Sequence, residues 1–309
     1  MNRTCALAWL SLVLAVDAQQ PKKKAGAAKP QIPIDDARIA GEIGGDLASD
    51  PGKQSDWPAL AAATDGALWA AYVEWNDKDA DRVVVRRRTP AGEWQTPVAL
   101  DDGNWDHYAP AVVARGGSAL VVWSGQTGGN FELYVAEVGA DGKASKPERL
   151  TSAPHADFNV RAAADGAGNV TVVWQSFRAG QADIYARRLS GRRWGPETRI
   201  SSSDASDWEP AVALDSRGVA WISWDSYHAG NYDVYLRSFD GRRAGEPIAI
   251  ATETSAQFHS TVAVDGEGRV WVAWDDAGEN WGKDFSRASA APGSQGLHFS
   301  RKLGVRVYS

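Results

Sequence analysis

Cysteine is nearly absent: the chain has one in 309 residues, Cys5, and it lies in a segment expected to be removed. Without it neither a disulfide nor thiol chemistry is available, and packing alone must hold the fold. The apolar run at residues 6–16 is too short to span a bilayer. It follows Arg3 and precedes a small-residue exit at Ala18, the pattern of a secretory signal peptide over residues 1–18. Cys5 lacks the small residues just upstream that lipid attachment requires. An exported chain without disulfides points to a bacterial periplasm or exterior. Beyond the signal no helical periodicity of useful length occurs, which leaves an all-β chain. Positive charge is short as well. The whole chain has 33 basic and 39 acidic residues; removing Arg3 and Asp17 with the signal leaves 32 and 38, and setting aside Lys22, Lys23, Lys24 and Lys29 leaves 28 and 38, an acidic excess of ten. That sign excludes nucleic acid as a partner.

Those four lysines stand among Ala, Gly and Pro in residues 19–35, a composition that buries no apolar area and predicts a disordered basic linker. The remainder of the chain is repetitive. The aromatics Trp57, Tyr108, Phe158, Trp208 and Phe258 open successive units at spacings of 51, 50, 50 and 50 residues. Trp75, Trp123, Trp174, Trp224 and Trp274 run as a second ladder, and Pro97, Pro147, Pro196 and Pro247 open the last strand of each unit. Fixed-period similarity of this size marks a unit that buries its faces only against copies of itself.

The unit at 205–254 reads most plainly. An apolar run, Pro210-Ala-Val-Ala-Leu214, ends in the turn Asp215-Ser-Arg-Gly218, whose Asp caps and whose Gly takes positive φ. A returning strand carries Trp221 and Trp224 an odd number of positions apart, so they face opposite sides of the sheet. Both sides must be covered. Strands at Tyr232-Asp-Val-Tyr-Leu-Arg237 and Pro247-Ile-Ala-Ile250 complete four per unit, which describes a propeller blade. Five blades are expected, at about 54–103, 104–154, 155–204, 205–254 and 255–309. The last lacks a fourth strand, and Asp36-Ala-Arg-Ile39, similar to Glu197-Thr-Arg-Ile200 and Glu148-Arg-Leu150, predicts that residues 36–40 supply it and close the ring.

The turns Asp165-Gly-Ala-Gly168, Asp215-Ser-Arg-Gly218-Val-Ala-Trp221 and Asp265-Gly-Glu-Gly268-Arg-Val-Trp271 resemble the Asp-box of sialidase-type (BNR-like) propellers, Ser/Thr-x-Asp-x-Gly-x-x-Trp. Here the Gly falls one residue later, and Ala163, Ala213 and Ala263 replace the Ser/Thr. Glu132-Leu-Tyr-Val135, Asp141-Gly142 and Arg149-Leu-Thr151 resemble TolB-type repeats. Residues 36–309, including Tyr232–Arg237 and Trp281-Gly-Lys-Asp284, are similar to the N-terminal propeller of larger secreted proteins with a C-terminal phosphoesterase-like domain, none of which this chain includes. The sialidase resemblance implies three carboxylate-clamping arginines, a Tyr/Glu nucleophile pair and an Asp acid. Only Arg161, standing where other units have Ala211 and Thr261, fits a clamp; Arg187 and Arg237 recur in register and read as scaffold.

Loops joining blade to blade, and second strand to third, open on one face of a propeller, and a rigid ring positions them for function. Residues that recur in every blade are packing devices, whereas departures from the repeat are candidates for recognition. His107, Tyr108, Arg161, Arg178, Trp208, Tyr227, His228, His259 and Trp281 form the expected ligand-binding set, since rings stack on apolar sugar faces while imidazoles and carboxylates exchange hydrogen bonds. Asp77, Asp79 and Asp81 have alternate spacing suited to a hard cation but lack the Gly and closing Glu of a dedicated loop, so solvated acids and no metal are expected, and no cofactor. Asp275, Asp276 and Glu279 are the candidate catalytic acids, although adjacent aspartates in a strand face opposite ways. The expectation is a monomeric, exported binding module for a carbohydrate or other small polar ligand, the alternatives being a sialidase-like glycoside hydrolase or lyase and a TolB-like protein-docking propeller.

Overall fold

The structure, a computed structural model, describes residues 52–76, 81–101, 106–228, 230–277 and 301–309. They form five antiparallel sheets in chain order. The first comprises β1 (Gln54–Ala62), β2 (Leu68–Trp75), β3 (Arg82–Arg88) and β4 (Val98–Ala99), and the second β5 (His107–Arg115), β6 (Ser118–Thr127), β7 (Asn130–Gly139) and β8 (Glu148–Arg149). The third contains β9 (Asp157–Ala164), β10 (Val170–Ser176), β11 (Asp183–Ser190), β12 (Arg193–Trp194) and β13 (Thr198–Arg199). The fourth has β14 (Ser206–Leu214), β15 (Ala220–His228), β16 (Asn231–Phe239) and β17 (Ile248–Ala251), and the fifth β18 (Gln257–Val264), β19 (Val270–Asp276) and β20 (Lys302–Tyr308). Each proline-led last strand is short because it forms an edge. The inner strands β1, β5, β9, β14 and β18 lie side by side in that order.

The four larger apolar cores among the described residues sit between consecutive sheets rather than inside any one, and a fifth, smaller cluster of Ala256, Phe258 and Ala277 meets Tyr227 and Tyr232 of the fourth sheet. Trp123 lies in the first core, Trp174 in the second, Trp224 in the third and Trp274 in the fourth. Trp221 turns the other way, toward the fifth sheet, as its odd spacing from Trp224 requires. Directly across the strand pair, Trp123 stacks on Tyr134 at 6.2 Å, Trp174 on Tyr185 at 6.1 Å and Trp224 on Tyr235 at 5.9 Å. Such cross-strand ring pairs add about 0.5–1.5 kcal/mol beyond burial.

The first unit corrects the sequence alignment. Register places Tyr72, opposite Val84, where the other sheets have their buried tryptophan, and Trp75 falls instead in the position of Tyr227. Trp57 likewise aligns with Ala109, Asn159, Glu209 and His259, one residue past the aromatics. An alignment by residue type slid the first repeat because tryptophan occupies the neighbouring positions there.

The turns explain the late glycine of the Asp-box-like sequences. Asp215 accepts backbone N–H groups from Arg217 and Val219, and Asp165 and Asp265 do the same with residues two and four further on. Closing that five-residue turn requires positive φ at its fourth position, where Gly168, Gly218 and Gly268 stand.

Arg187 and Arg237 are indeed scaffold. Arg187 donates to the Gly195 carbonyl of its own sheet at 2.7 Å and to the Leu150 carbonyl of the preceding sheet at 2.6 Å. Arg237 bridges Gly245 and Ile200 in the same way, and Arg306 reaches Ile250. Arg187→Leu strips two carbonyls of their donor and should cost about 1–3 kcal/mol, read as a lower urea midpoint with an unchanged slope.

The outer faces of the first and last sheets expose Leu60, Trp271, Leu303, Val305 and Val307, whereas Tyr308, also exposed, turns inward to meet Trp221 at 5.5 Å. The segments expected to be signal peptide, linker and closing strand, residues 1–40, lie outside the described residues.

Candidate functional site

Every inner strand breaks register at the same place, between Asp56 and Ala59, Tyr108 and Ala111, Trp208 and Ala211, and Phe258 and Thr261, with the matching break in β9 before Arg161. The bulged residues Trp57, Ala109, Asn159, Glu209 and His259 all have positive φ, between 36° and 60°. None is glycine, so each holds roughly 1–3 kcal/mol of backbone strain that the surroundings must support. Part of that support comes from the preceding sheet. Asp225 accepts the His259 N–H at 2.6 Å and the Ser260 N–H at 3.1 Å, and Gln175 Oε1 accepts the Glu209 N–H at 3.4 Å. A bulge re-aims its side chain. Here one backbone device repeats five times while the residue mounted on it changes from Trp to Ala, Asn, Glu and His. Packing needs the repetition; it does not need the variation.

Beside these positions runs a chain of rings. Trp57 meets Tyr108 at 4.6 Å, Tyr108 meets Phe158 at 6.3 Å, Phe158 stacks on Phe177 at 5.4 Å, and Phe177 meets Trp208 at 5.8 Å. A second group links Tyr227 to Tyr232 at 5.0 Å, Tyr232 to Phe258 at 6.0 Å, and Phe258 to His259 at 4.8 Å. A cavity of about 380 Å³ opens among Trp57, Leu60, Ala109, Pro110, Ala111 and Arg161. Larger cavities at Trp69, Trp94 and Pro97, and at Trp194, Pro196 and Gly241, occupy matching grooves between neighbouring sheets, so they follow from the repeat.

The charged end of the mouth is built on the fourth and fifth sheets. The half-exposed His259 ring stands 3.2 Å from Asp275 through Nδ1 and 3.5 Å from Glu209 through Nε2, and Arg301 holds the same Asp275 oxygen at 2.7 Å. Beneath it Asp225 is buried, and loss of solvation pushes its carboxyl up to about 8 against the pull of the two N–H donors. Burial also raises Asp157 and Asp207, opposed by hydroxyls of Ser176 and Ser226. Among the described residues no group of three or more His, Cys, Asp or Glu side chains is arranged to hold a metal ion.

The structure divides the residues singled out in the sequence. Tyr108, Arg161, Trp208 and His259 come together at the mouth, with Tyr227 behind Phe258. His228 is exposed at the tip of the β15–β16 hairpin, opposite Asn231. His107 is not on the rim: its side chain is fully buried, 3.2 Å from the Asp101 carboxylate and edge-on to Trp123. Arg178 is committed to the fold, contacting Asp157 at 3.0 Å and Glu197 at 2.5 Å with its guanidinium 4.3 Å from the Tyr185 ring centre. Asp275 faces His259, whereas Asp276 turns to the Ser255 hydroxyl, so the adjacent acids form no pair. Trp281, Glu279, Asp77 and Asp79 lie outside the described residues; Asp81 is described and half-buried. Glu209, Asn159 and Asp225 were missed. Their signal was the residue after each opening aromatic, and its backbone acceptor one sheet earlier.

No protein-family model and no curated protein sequence matches this chain. Solved structures do. A Penicillium chrysogenum α-L-arabinanase complexed with arabinobiose superposes with a TM-score of 0.51 at 11% identity, over 82% of this chain and 93% of that one. An ulvan lyase bound to a GlcA-containing saccharide gives 0.53 at 14%, over 73% and 67%. The fold is a β-propeller. A Hadza microbial sialidase gives 0.52 at 16% over 72% of this propeller, which spans 53% of that longer chain. In a propeller so remote in sequence from these structures, function must be argued from the site.

Proposed function

We propose that this propeller is an exported carbohydrate-binding module whose ligand lies across the bulged inner-strand positions. The observation that carries the reading is the coincidence of five strained, chemically varied bulge residues with a continuous run of rings, Trp57 to Trp208, at one mouth. Rings offer flat apolar faces to sugars, and Asn159, Glu209 and His259 add hydrogen-bonding groups held by rigid backbone. The solved structures of similar fold include an arabinanase complexed with arabinobiose and a lyase bound to a GlcA-containing saccharide, which supports the same ligand class. Among the described residues no helix is long and apolar enough to cross a membrane; export rests on the signal sequence.

A glycan panel tests the reading. Trp57 is 36% exposed, so Trp57→Ala should leave the melting temperature nearly unchanged while weakening glycan binding roughly tenfold, about 1.4 kcal/mol. Undiminished binding by that variant would remove the ring surface from the ligand site. A second reading, sugar cleavage, is favoured by His259 standing between Glu209 and Asp275, a set able to relay a proton. Release of reducing ends that Glu209→Gln abolishes would establish it; binding without release supports the module.

A further inference from the structure

The turns that lead into each last strand differ in charge from unit to unit. Those of the first and second sheets read Gly92-Glu-Trp94 and Gly142-Lys-Ala144, whereas those of the third and fourth read Gly191-Arg-Arg-Trp194 and Gly241-Arg-Arg-Ala244. The two arginine-bearing turns meet. A Cβ added at Gly195 would stand 3.4 Å from the Gly241 carbonyl, and a cleft of about 650 Å³ between the turns is lined by Arg193, Trp194, Pro196, Gly241 and Arg242. The cleft is a product of the repeat; its charge is not. In the matching cleft between the first and second sheets, Glu93 precedes the tryptophan in the place of Arg193, and the lining Arg87 is held by Asp65 at 3.0 Å.

Arg192, Arg193, Arg242 and Arg243 are all exposed, and none has a carboxylate within ion-pair distance among the described residues. Asp240, which also lines the cleft, accepts instead the backbone N–H groups of Arg242 and Arg243, each at 2.7 Å. Neighbouring arginines are committed to the fold, Arg188 to Asp165 and the Gly218 carbonyl, Arg217 to Asp215. In a chain with six more acidic than basic side chains, such a concentration of unpaired cations beside a half-buried tryptophan is a local feature.

We propose that this cleft docks an extended acidic segment of a partner polypeptide, its carboxylates alternating toward the two arginine-bearing turns while the chain lies against Trp194. Guanidinium groups match the two oxygens of a carboxylate, and arginine clusters commonly read acidic motifs. Successive side chains of an extended chain point to opposite sides, which suits cationic turns on both sides of the cleft. A flat lipid surface would touch the turns without entering between them. Trp194 pairs with Leu189 beside Val170, whereas the bulge of β9 lies beside Gln175 at the other end of β10, so this site is separate from the mouth and does not rest on the carbohydrate reading.

The test uses the full chain and two labelled peptides of twelve residues, one alternating glutamate with serine and one with every glutamate replaced by glutamine, beside phosphatidylcholine vesicles with and without phosphatidylglycerol. Wild type should bind the acidic peptide about tenfold or more tighter than its amide counterpart, with the preference shrinking as salt is added. Arg193→Gln combined with Arg242→Gln should abolish that preference at an unchanged melting temperature, since both side chains are exposed. Lys143→Gln combined with Lys146→Gln removes the same net charge from the preceding sheet's exposed turn and should keep the preference. Equal wild-type affinity for the two peptides, or equal losses in the two double variants, would overturn the docking site. Arginine-dependent binding to the phosphatidylglycerol vesicles in place of the peptide would assign the cleft to a membrane surface and overturn it as well.

Discussion

Trp174→Ala is expected to destabilise the propeller by about 3–5 kcal/mol, the usual cost of emptying an aromatic site in a packed core. Trp174 is fully buried between the second and third sheets, stacks on Tyr185, and stands 6.0 Å from the Arg178 guanidinium. Its removal opens a void that flat sheets cannot collapse to fill, and it loosens the face on which Arg178 holds Asp157. For a domain of this size the melting temperature should fall by about 10 °C. Trp174→Phe, which keeps a ring, should lose less. Trp271→Ala is the control: that residue is 38% exposed on an outer face and should cost under about 1 kcal/mol. Equal losses at 174 and 271 would mean that stability does not reside in the inter-sheet cores.

Asp225→Asn should flatten the pH dependence of stability. The carboxyl is 2% exposed and pushed up to about 8 from an unfolded value of 3.8, burial being the largest cause. The folded chain therefore binds the proton more tightly than the unfolded chain, so the stabilisation is complete below about pH 4 and is lost as pH rises toward 8. Each pH unit separating the folded from the unfolded value corresponds to roughly 1.4 kcal/mol, so wild type should lose several kcal/mol between pH 4 and pH 8. Asp157 and Asp207 are raised by burial as well, which leaves a residual slope in the variant. Urea midpoints across that range read the effect: Asp225→Asn should fall behind or match wild type at pH 4 and exceed it at pH 9. A variant with the wild-type slope would place the titration elsewhere.

The repeat and its sheets were legible because alternation and turn chemistry are local. Asp215-Ser-Arg-Gly218 announces its own turn, and the odd spacing of Trp221 and Trp224 announces two buried faces. The first unit was misaligned because Trp57 and Trp75 each sit near, but not at, the aromatic position of the other repeats, and only register reveals Tyr72 in that place. Arg161 was legible as a break in a row of small residues. His107 was misread as a rim residue since its partner, Asp101, belongs to the turn leading out of the preceding sheet, a contact no local pattern contains. Glu209 and Asn159 were marked only by their place after an opening aromatic, because positive φ in a residue other than glycine has no residue-type signature and its support, such as Gln175 for Glu209 and Asp225 for His259, comes from another sheet.

If ligand binds across the bulged inner-strand mouth, amide hydrogen exchange with and without a saturating glycan from the panel tests it most directly. Protection should rise at residues 56–60, 108–112 and 158–162, and at 208–210 and 258–260, with little change at the outer grooves around Trp94 and Trp194. Protection confined to those outer grooves, with the mouth unaltered, would contradict a ligand seated on the bulges.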